Sequence, residues 1–450
     1  MVVTTPVHGL LRFATAGSVD DGKSTLVGRL LYDSKSVLSD TLAAAERTST
    51  ARGSDTVDLS LLVDGLRAER EQGITIDVAY RYFATTKRTF ILADTPGHVQ
   101  YTRNTVTGAS TADVVIILVD ARTGVVAQTR RHVTVAALLG VPEILLAVNK
   151  IDLVGYDQTV FDAIATDFAA FASGLGIPAV VSIPISALNG DNVVTGSSHM
   201  PWYDGPSVLE HLETVEVTDR RADQALRFPV QYVIRPGADY AIDPDYRGYA
   251  GRVAAGTVRP GDEVVVLPGG HRSTVTGVET ADGPKDSAEA GDSVTLLLAD
   301  DIDIARGNLI AAADSAPVPV HEFAATVTQV AEKPLRAGQR LLLKYGTTTT
   351  RVIIGAIDHL LDIDTLTPLA GASALQLNDI GLLHVRTAEP LPVDPYQPRG
   401  AVGALLIIDP ADGITLAVGM VGDRRAAITD GAISRCQTDS IDSDASTPGP

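Results

Sequence analysis

The chain has 450 residues, 45% of them hydrophobic and 20% charged, a composition typical of globular proteins. Its formal net charge of −19 argues against a broad, non-specific nucleic-acid surface, because such binding depends on Lys and Arg side chains that neutralise phosphates. Cys436 is the only cysteine, which excludes an intrachain disulfide and a cysteine-rich metal site, and we expect a cytoplasmic protein. The most apolar run, residues 114–119, is too short to cross a bilayer, so no membrane partner is expected.

In chain order, the first part alternates short apolar runs with segments of helical period. Strands are predicted in LLRFATAG, RTFILADT, DVVIILVD, EILLAVNK and AVVSIPIS, and helices in QTRRHVTVAALLG and VFDAIATDFAAFASGL. This alternation predicts an α/β domain with a mostly parallel sheet over residues 9–221. Short strands with frequent Gly and Pro turns then predict two antiparallel β-barrel domains, 222–315 and 316–425. The polar, acidic residues 426–450 predict a disordered tail.

The first motif, GSVDDGKS, follows the first predicted strand and opens a predicted helix. Its spacing is that of a phosphate-binding loop, in which backbone N–H groups at a helix N-terminus contact phosphate oxygens. Main chain makes that contact, so Asp20 and Asp21 can point away, and we expect Asp21 to be a solvated side chain. Lys23 would reach the β- and γ-phosphates, and the Ser24 hydroxyl would bind Mg²⁺. The loop residues expected to contact the nucleotide are Gly17, Val19, Asp20, Asp21, Gly22, Lys23, Ser24 and Thr25.

Two further motifs predict a switch that depends on the nucleotide state. In DTPGH, Asp94 ends an apolar strand and would hold Mg²⁺ through water, while the amide of Gly97 would meet a γ-phosphate. In QGITID, the hydroxyl of Thr75 would complete the Mg²⁺ shell when its loop closes over the nucleotide. Loss of the γ-phosphate would release both segments.

The motif NKID, directly after the strand EILLAV, predicts a preference for guanine. Asp152 can accept hydrogen bonds from guanine N1–H and the 2-amino group, whereas adenine has an acceptor at N1 and no 2-amino group. Asn149 would buttress the loop or contact the base edge, and Lys150 would lie along the ring. The backbone N–H groups of a second loop would meet guanine O6, and its residues are Ser186, Ala187 and Leu188.

Taken together, these motifs resemble those of the translation-factor class of GTPases. The resemblance implies an elongation-factor-like fold, with an α/β P-loop GTPase domain followed by two antiparallel β-barrels. It implies that His98 positions the attacking water, flanked by Val19 and Ile74, and that Asp20 can help hold a monovalent cation. The catalytic set would be His98, Lys23, Thr75 and Gly97, although His98 could also be a switch histidine without a chemical role. For His132, in QTRRH, we expect a structural role on a helix.

The phosphate loop differs from the elongation-factor pattern GHVDHGK, because Ser18 and Asp21 replace the two histidines. Together with LVDGLRAEREQGITIDVAYRYF, PWYDGPS, RFPVQYVIRP and LADDIDIARGNLI, it is similar to the GTPase subunit of the bacterial ATP sulfurylase. That resemblance implies a separate small catalytic subunit, which transfers AMP from ATP to sulfate and forms adenosine 5′-phosphosulfate and pyrophosphate in sulfate assimilation. GTP hydrolysis on this chain would drive that step. No second phosphate-loop motif follows Met420, so we expect no adenylylsulfate kinase activity, which some family members carry in a fused domain.

Two alternatives stay open. An elongation-factor-like translational GTPase that binds aminoacyl-tRNA would have the same domain layout, but the acidic charge and the altered phosphate loop oppose it. A regulatory binding module could also use a GTP cycle as a timer without energetic coupling.

The segment GSSHM, residues 196–200, resembles a cloning scar but runs directly into PWYDGPSVLEHLE. We interpret it as a natural surface loop near Trp202, followed by a helix.

Overall fold

A computed structural model describes residues 8–35, 39–51, 59–62, 78–98, 102–177, 179–217, 221–235, 246–398 and 402–426. These residues fall into two compact units. The first contains the described residues up to 217 together with 362–367 and 425–426, and the second contains the others.

A six-stranded sheet lies at the centre of the first unit. Its strands are β1 (His8–Gly17), β2 (Ala79–Ala84), β3 (Arg88–Asp94), β4 (Val114–Asp120), β5 (Glu143–Asn149) and β6 (Val181–Pro184). Their order is β2-β3-β1-β4-β5-β6, with β2 antiparallel to β3 and all other neighbours parallel. Every residue of β4 is buried, as expected for a central strand of a covered parallel sheet. The predicted α/β fold is confirmed, and the edge strand β2 is an addition that the sequence analysis did not predict.

Helices connect the strands of this sheet. The described α-helices are α1 (Lys23–Asp33), α2 (Ser39–Ala51), α3 (Thr102–Ala109), α4 (Ala127–Leu139), α5 (Gln158–Gly174) and α6 (Val208–Thr214). Two begin at side-chain caps, where Asp157 accepts from the N–H of Thr159 at 2.7 Å and Ser207 accepts from that of Glu210 at 3.2 Å. Helix α4 ends at Gly140, which has the left-handed φ of 67° common at helix ends. None of the described helices has both the length and the hydropathy needed to span a membrane.

The register of the sheet brings the carboxyl ends of its central strands to one edge. Thr15 of β1 pairs with Asp94 of β3, and Asp120 of β4 pairs with Asn149 of β5. The loops that follow these strands therefore start side by side, at the edge where open α/β sheets bind their ligands.

The first barrel of the second unit is an antiparallel sheet closed on itself. Its strands are β7 (Arg227–Ile234), β8 (Gly248–Arg252), β9 (Thr257–Val258), β10 (Glu263–Leu267), β11 (His271–Thr280), β12 (Gly283–Lys285), β13 (Ala288–Glu289), β14 (Ser293–Leu298) and β15 (Leu309–Ala312). The order is β10-β15-β7-β8-β14-β11-β12, and pairing of β10 with β11 closes the ring. Strands β9 and β13 form a separate pair.

The second barrel repeats this plan. Its strands are β16 (Val320–Gln329), β17 (Leu335–Arg336), β18 (Arg340–Tyr345), β19 (Thr348–Leu361), β20 (Pro368–Ala370), β21 (Ala374–Leu375), β22 (Ile380–Leu391), β23 (Ala404–Ile408) and β24 (Thr415–Val421). The order is β18-β23-β24-β16-β22-β19-β20, and β18 pairs with β19 to close it. The prediction of two antiparallel barrels is therefore confirmed.

A partly buried ion pair joins the two barrels within the second unit. Arg227 of β7 donates from Nε and Nη2 to both carboxylate oxygens of Asp394, at 2.7 and 3.0 Å. The same guanidinium donates to the carbonyl oxygen of Ser315 at 2.7 Å. A two-pronged pair of this kind fixes orientation as well as distance.

Candidate nucleotide-binding site

The loop between β1 and α1 closes around the ammonium group of Lys23. Its Nζ donates to the carbonyl oxygens of Gly17 and Ser18 at 3.0 and 2.6 Å, and the side chain is buried. The backbone is left-handed at Asp20, with φ of 66°, and at Gly22, with φ of 91°, immediately before the helix begins. A loop with this shape at a helix N-terminus is suited to binding phosphate.

The carboxylate of Asp21 lies inside this loop, so the expectation of a solvated side chain is wrong. Asp21 is 5% exposed and accepts a hydrogen bond from the N–H of Ser18. The physical reason is that an N–H turned into the loop needs an acceptor, and this carboxylate supplies it. Burial raises the pKa of Asp21, while the nearby charge of Lys23 and the Ser18 hydrogen bond partly oppose that effect. Asp20, in contrast, is exposed.

Lys23 is a buried cation that depends on nearby negative charge. Burial lowers the pKa of Lys23, and the carboxylates of Asp21, Asp94 and Asp20 oppose this shift in that order of strength. A phosphate placed beside the ammonium group would oppose it further, because any neighbouring anion favours the charged form. The surroundings of Lys23 therefore favour a neighbouring anion.

The end of β3 is tied to the end of β1. Asp94 is fully buried and its Oδ1 accepts from the hydroxyl of Thr15 at 2.9 Å. Thr95 donates from its hydroxyl to the carbonyl oxygen of Thr15 at 2.6 Å. Two residues later, Gly97 approaches the phosphate loop so closely that a Cβ there would lie 2.8 and 2.9 Å from the carbonyl oxygens of Ser18 and Gly17, and 2.3 Å from Nζ of Lys23. The DTPGH motif therefore packs directly on the phosphate loop, and only glycine fits at this approach.

The oxygen donors at this edge fit a magnesium ion. Ser24 lies in the first turn of α1, and the carboxylate of Asp94 lies at the end of the adjoining strand β3. Hydroxyl and carboxylate oxygens are ligands that Mg²⁺ prefers, usually together with substrate phosphates. Among the described residues, no group of three or more His, Cys, Asp and Glu could hold a metal alone. A magnesium ion bound here would take its remaining ligands from phosphate oxygens and water.

Asn149 joins the phosphate loop to the loop after β6. Its Nδ2 donates to the carbonyl oxygen of Asp21 at 2.7 Å, and its Oδ1 accepts from the N–H of Ala187 at 3.0 Å. The side chain is 2% exposed. A Cβ at Gly22 would lie 2.3 Å from Nδ2, so this contact requires glycine there. Of the two roles considered for Asn149, the geometry favours buttressing the loops over contacting the base.

The residues after Asn149 include two charged positions of the NKID motif. Lys150 has φ of 60°, and its Nζ lies 3.0 Å from Oδ2 of Asp120 at the end of β4. Arg122 donates to both oxygens of the same carboxylate, at 3.0 and 2.6 Å. Burial disfavours the charged form of Asp120, but these hydrogen bonds outweigh it and hold the pKa of that carboxyl well below its ordinary value. Asp152 follows in the 3₁₀ turn Ile151–Val154 and is half-buried.

The loop after β6 carries the residues predicted to meet guanine O6. Ser186 and Ala187 are buried, whereas Leu188 is 61% exposed. Arg29 of α1 donates from Nε to the carbonyl oxygen of Ala187 at 3.2 Å and from Nη2 to that of Leu188. Sequence reasoning did not single out Arg29, and neither its spacing nor its neighbours in the sequence mark it.

The remaining residues of the predicted site are Thr75, Ile74, His98, Val19 and Thr25. Thr75 and its neighbour Ile74 lie outside the described residues. His98 follows Gly97 directly and is partly exposed, and Val19 is 40% exposed. Thr25 lies beside Ser24 in the first turn of α1.

His132 lies on the buried face of α4. It is 2% exposed, and the side-chain amide of Gln128 lies 3.1 Å from its Nε2. Arg131 donates to the other end of that amide at 2.7 Å, which orients the Gln128 NH₂ group toward the ring. Burial lowers the pKa of His132 to about 3. A neutral, packed imidazole agrees with the structural role expected for this residue.

Three family models match the chain in consecutive segments. Residues 8–224 match the elongation factor Tu GTP binding domain, 249–311 match elongation factor Tu domain 2, and 322–422 match the GTP-eEF1A C-terminal domain-like model. The matches cover the α/β unit and each of the two barrels.

Several curated proteins are similar over most of the chain. "Sulfate adenylyltransferase subunit 1" of Citrobacter koseri is 49% identical over 415 residues, which cover 92% of this chain and 86% of the relative. "Bifunctional enzyme CysN/CysC" of Mycobacterium tuberculosis is 55% identical over 414 residues, covering 92% of this chain and 67% of the relative. A solved structure described as sup35 complexed with GMPPNP covers 92% of this chain at 23% identity and a TM-score of 0.41, a likeness too low to carry weight.

Proposed function

The chain belongs to the sulfate adenylyltransferase subunit 1 family of elongation factor Tu-like GTPases, and from that premise we propose that it hydrolyses GTP to drive sulfate activation on a partner subunit. The observation that carries the proposal is the side chain of Asn149, which connects the phosphate loop to the loop assigned to guanine. The two ends of one nucleotide would then be held by a single connected framework.

The triphosphate is assigned to the loop after β1. Its backbone N–H groups and Lys23 would hold the β- and γ-phosphates, because a buried ammonium group beside a helix N-terminus favours an anion. Ser24 and Asp94, with Thr75 as a further donor, would hold Mg²⁺, which neutralises phosphate charge when it is bound. A monovalent cation beside the exposed carboxylate of Asp20 belongs to the same proposal.

The base is assigned to the loops after β5 and β6. Asp152 would accept from guanine N1–H and the 2-amino group, while N–H groups of residues 186–188 would donate to O6. Lys150, held by Asp120 at 3.0 Å, would lie along the ring. An adenine in this position would leave Asp152 facing an acceptor, a mismatch that gives steep discrimination.

Hydrolysis is assigned to residues of the DTPGH motif. His98 would position a water whose oxygen bonds to the γ-phosphorus while the bond to the β–γ bridging oxygen breaks, releasing inorganic phosphate and GDP. The amide of Gly97, which packs against Lys23, would contact the γ-phosphate before cleavage. Loss of that contact would release the segment after β3.

The partner is proposed to be a small catalytic subunit, as the relatives' name "subunit 1" suggests. That subunit would transfer AMP from ATP to sulfate, giving adenosine 5′-phosphosulfate and pyrophosphate, in the cytoplasm. The GTP-bound form of this chain would favour the competent complex, and hydrolysis would convert the free energy of GTP into product beyond the uncoupled equilibrium.

Delivery of aminoacyl-tRNA is the less supported alternative. The elongation factor Tu models describe domains that both functions share, whereas relatives of about half identity bear the adenylyltransferase name. The net charge of −19 also disfavours an RNA partner.

The test mixes this chain with its catalytic subunit, ATP and sulfate. We expect adenosine 5′-phosphosulfate to accumulate beyond the uncoupled equilibrium with GTP, and not with a non-hydrolysable analogue. If GTP raises only the initial rate and leaves the final yield unchanged, the chain is a timer and energetic coupling is wrong. Retention of aminoacyl-tRNA on a filter only with GTP would favour the translational alternative.

A further inference from the structure

A largely buried carboxylate, Asp191, lies at the centre of a hydrogen-bonded cluster beside the two loops assigned to the base. Its side chain is 10% exposed. Oδ2 accepts from the hydroxyl of Tyr156 at 3.0 Å, and Oδ1 accepts from the hydroxyl of Ser197 at 2.6 Å and from Nδ1 of His199 at 3.0 Å. Burial alone would raise the pKa of Asp191. The three hydrogen bonds outweigh burial, so the pKa lies below the ordinary value for Asp. The group is therefore an ionised acceptor for three donors.

The main chain of Asp191 holds the loop predicted to meet guanine O6. The N–H of Ser186 donates to the carbonyl oxygen of Asp191 at 3.2 Å. The loop is closed by two further bonds, from the N–H of Gly190 to the carbonyl oxygen of Ser186 at 2.7 Å and from the N–H of Asn189 to the Ser186 hydroxyl at 3.3 Å. The position of Asp191 thus sets the path of residues 186–190.

The side chain of Asp191 reaches the other loop through Tyr156. Tyr156 has φ of 58°, and its N–H donates to the carbonyl oxygen of Ile151 at 2.9 Å. The preceding residue, Gly155, donates to the carbonyl oxygen of Asp152 at 3.2 Å. Tyr156 therefore closes the turn that presents Asp152, in a backbone conformation that a non-glycine residue adopts only when other contacts hold it.

Neighbouring aromatic groups hold Tyr156 in this position. The indole Nε1 of Trp202 donates to the carbonyl oxygen of Tyr156 at 3.1 Å, and Trp202 itself packs on Phe161 at a ring distance of 5.5 Å. The His199 ring lies 4.9 Å from the Tyr156 ring. The segment GSSHMPWY is therefore a buttress for this turn, which gives a reason for the expected packing near Trp202.

We propose that Asp191 is a positioning residue for guanine selectivity, which aligns Asp152 through Tyr156 and aligns residues 186–188 through its own main chain. The inference rests on the proposed function, since the two loops meet a guanine only if the nucleotide is GTP or GDP. The two loops are proposed to bind adjacent groups of one guanine ring. A small displacement of one loop relative to the other would therefore break the hydrogen bonds to one group while those to the other group remain. Guanine is more sensitive to such an error than hypoxanthine, because guanine presents two donors to Asp152, N1–H and the 2-amino group, whereas hypoxanthine presents N1–H alone.

The test is Tyr156→Phe, which removes the hydroxyl that links the loops and keeps the ring. Tyr246→Phe is the matched control, because it removes a tyrosine–carboxylate hydrogen bond, to Glu279 at 2.7 Å, in the second unit. We expect the Kd for GTP to rise about three- to tenfold in Tyr156→Phe, the scale of the net contribution of one ordinary hydrogen bond. ITP lacks the 2-amino group, so its Kd should rise less than that of GTP. The Kd for ITP divided by the Kd for GTP should therefore be lower in Tyr156→Phe than in the unaltered chain.

Two further measurements separate positioning from general loss of structure. Single-turnover hydrolysis of saturating GTP should be unchanged in Tyr156→Phe, because the phosphate loop is not altered. Asp191→Asn keeps the shape of the side chain but replaces one acceptor oxygen by a donor, so it should shift the ITP to GTP ratio in the same direction. The double variant should show less than the sum of the two effects.

Each outcome decides the inference. The inference is wrong if Tyr156→Phe and Tyr246→Phe have the same Kd values for GTP and ITP. It is also wrong if the Kd values of Tyr156→Phe for GTP and ITP rise by the same factor, which leaves their ratio unchanged. Absence of GTP binding by the unaltered chain would instead refute the proposed function, and this inference with it.

Discussion

The side-chain amide of Asn149 donates to the carbonyl oxygen of Asp21 at 2.7 Å across 128 positions of sequence. Its other end accepts from the N–H of Ala187 at 3.0 Å. One buried side chain therefore connects the loops after β1, β5 and β6, each of which is proposed to contact a different part of the nucleotide. Movement of any one of these loops would strain the other two.

Replacing this connector should weaken both folding and nucleotide binding. Asn149→Ala leaves a buried carbonyl and a buried N–H unpaired, so the free energy of unfolding should fall by roughly 1–3 kcal/mol. The Kd for GTP should rise by about tenfold or more, because the two loops lose their common support. Denaturant unfolding and calorimetry measure the two effects. Asn308→Ala, which removes one hydrogen bond to Ala305 in the second unit, is the control and should leave the Kd unchanged.

Removing the ammonium group of the phosphate loop should nearly abolish nucleotide binding. Lys23→Ala takes away the buried cation that faces the proposed phosphate position, and the negative charges of Asp21 and Asp94 stay behind. Calorimetry with GTP and Mg²⁺ should show no heat, while Lys344→Ala on β18 should bind as the unaltered chain does. Binding of GTP by a folded Lys23→Ala protein at ordinary affinity would contradict the assigned phosphate site.

Exchange of one carboxylate should change the preferred base. Asp152→Asn places an amide where guanine presents two donors, whereas xanthine presents an N1–H donor and a 2-oxo acceptor that the amide can match. Competition between GTP and XTP should therefore shift toward XTP by about tenfold or more. The assignment of Asp152 to the base would be wrong if this variant kept its full affinity for GTP.

Loss of the switch imidazole should slow hydrolysis and spare binding. His98→Ala removes the group proposed to position the attacking water, so the single-turnover rate should fall roughly 10²-fold or more. The Kd for GTP should stay within about twofold, since no phosphate contact is assigned to this side chain. His321→Ala, at an exposed position of β16 in the second unit, is the histidine control and should leave the rate unchanged. A normal rate in His98→Ala would remove this residue from the mechanism.

The carboxylate of Asp120 should make stability depend on pH in the acidic range. Its pKa is held below the ordinary value by Arg122 and Lys150, despite burial. A depressed pKa contributes stability that is present above the unfolded pKa of about 3.9 and is lost as the pH falls through the folded value. The free energy of unfolding should therefore decline below about pH 4.

Asp120→Asn tests this origin of the acid sensitivity. The variant should be less stable at neutral pH and show a shallower decline in acid, as measured by denaturant unfolding at a series of pH values. Asp167→Asn is the control, because Asp167 is 53% exposed and its contact with Arg130, at 3.8 Å, is open to solvent. An identical acid slope in the unaltered chain and Asp120→Asn would show that other carboxyls govern it.

Much of the fold followed from local patterns. The buried run of β4 and the helical period of α4 and α5 are visible in short windows, because burial on a sheet or one helix face sets the spacing of apolar residues. Strand β2 escaped prediction because alternate residues, such as Tyr80 and Tyr82, are exposed at the sheet edge. Its pairing with β3, from Ala79 opposite Asp94 to Ala84 opposite Thr89, places it in the sheet.

In the candidate site too, local motifs predicted some residues, and others became visible only in the structure. The motifs marked Lys23 and Asp152 because phosphate loops and guanine loops use characteristic residues at fixed spacings. They did not predict that Asp21 would turn inward, since its acceptor role depends on where the Ser18 N–H points. Arg29 was missed because its partner, Ala187, lies 158 positions away.

The amino-acid sequence by itself determined the alternation of strands and helices in the first unit apart from β2, the two barrels and the chemical identity of the proposed nucleotide contacts, because these depend on residues close together in the chain. Only the tertiary structure decided which loops share a hydrogen bond. Parallel strands place distant loops at one sheet edge, and their register sets the distances over which Asn149 and Asp191 act. A hydrogen bond requires two groups within about 3 Å, a condition that no local pattern can specify for residues far apart in the chain.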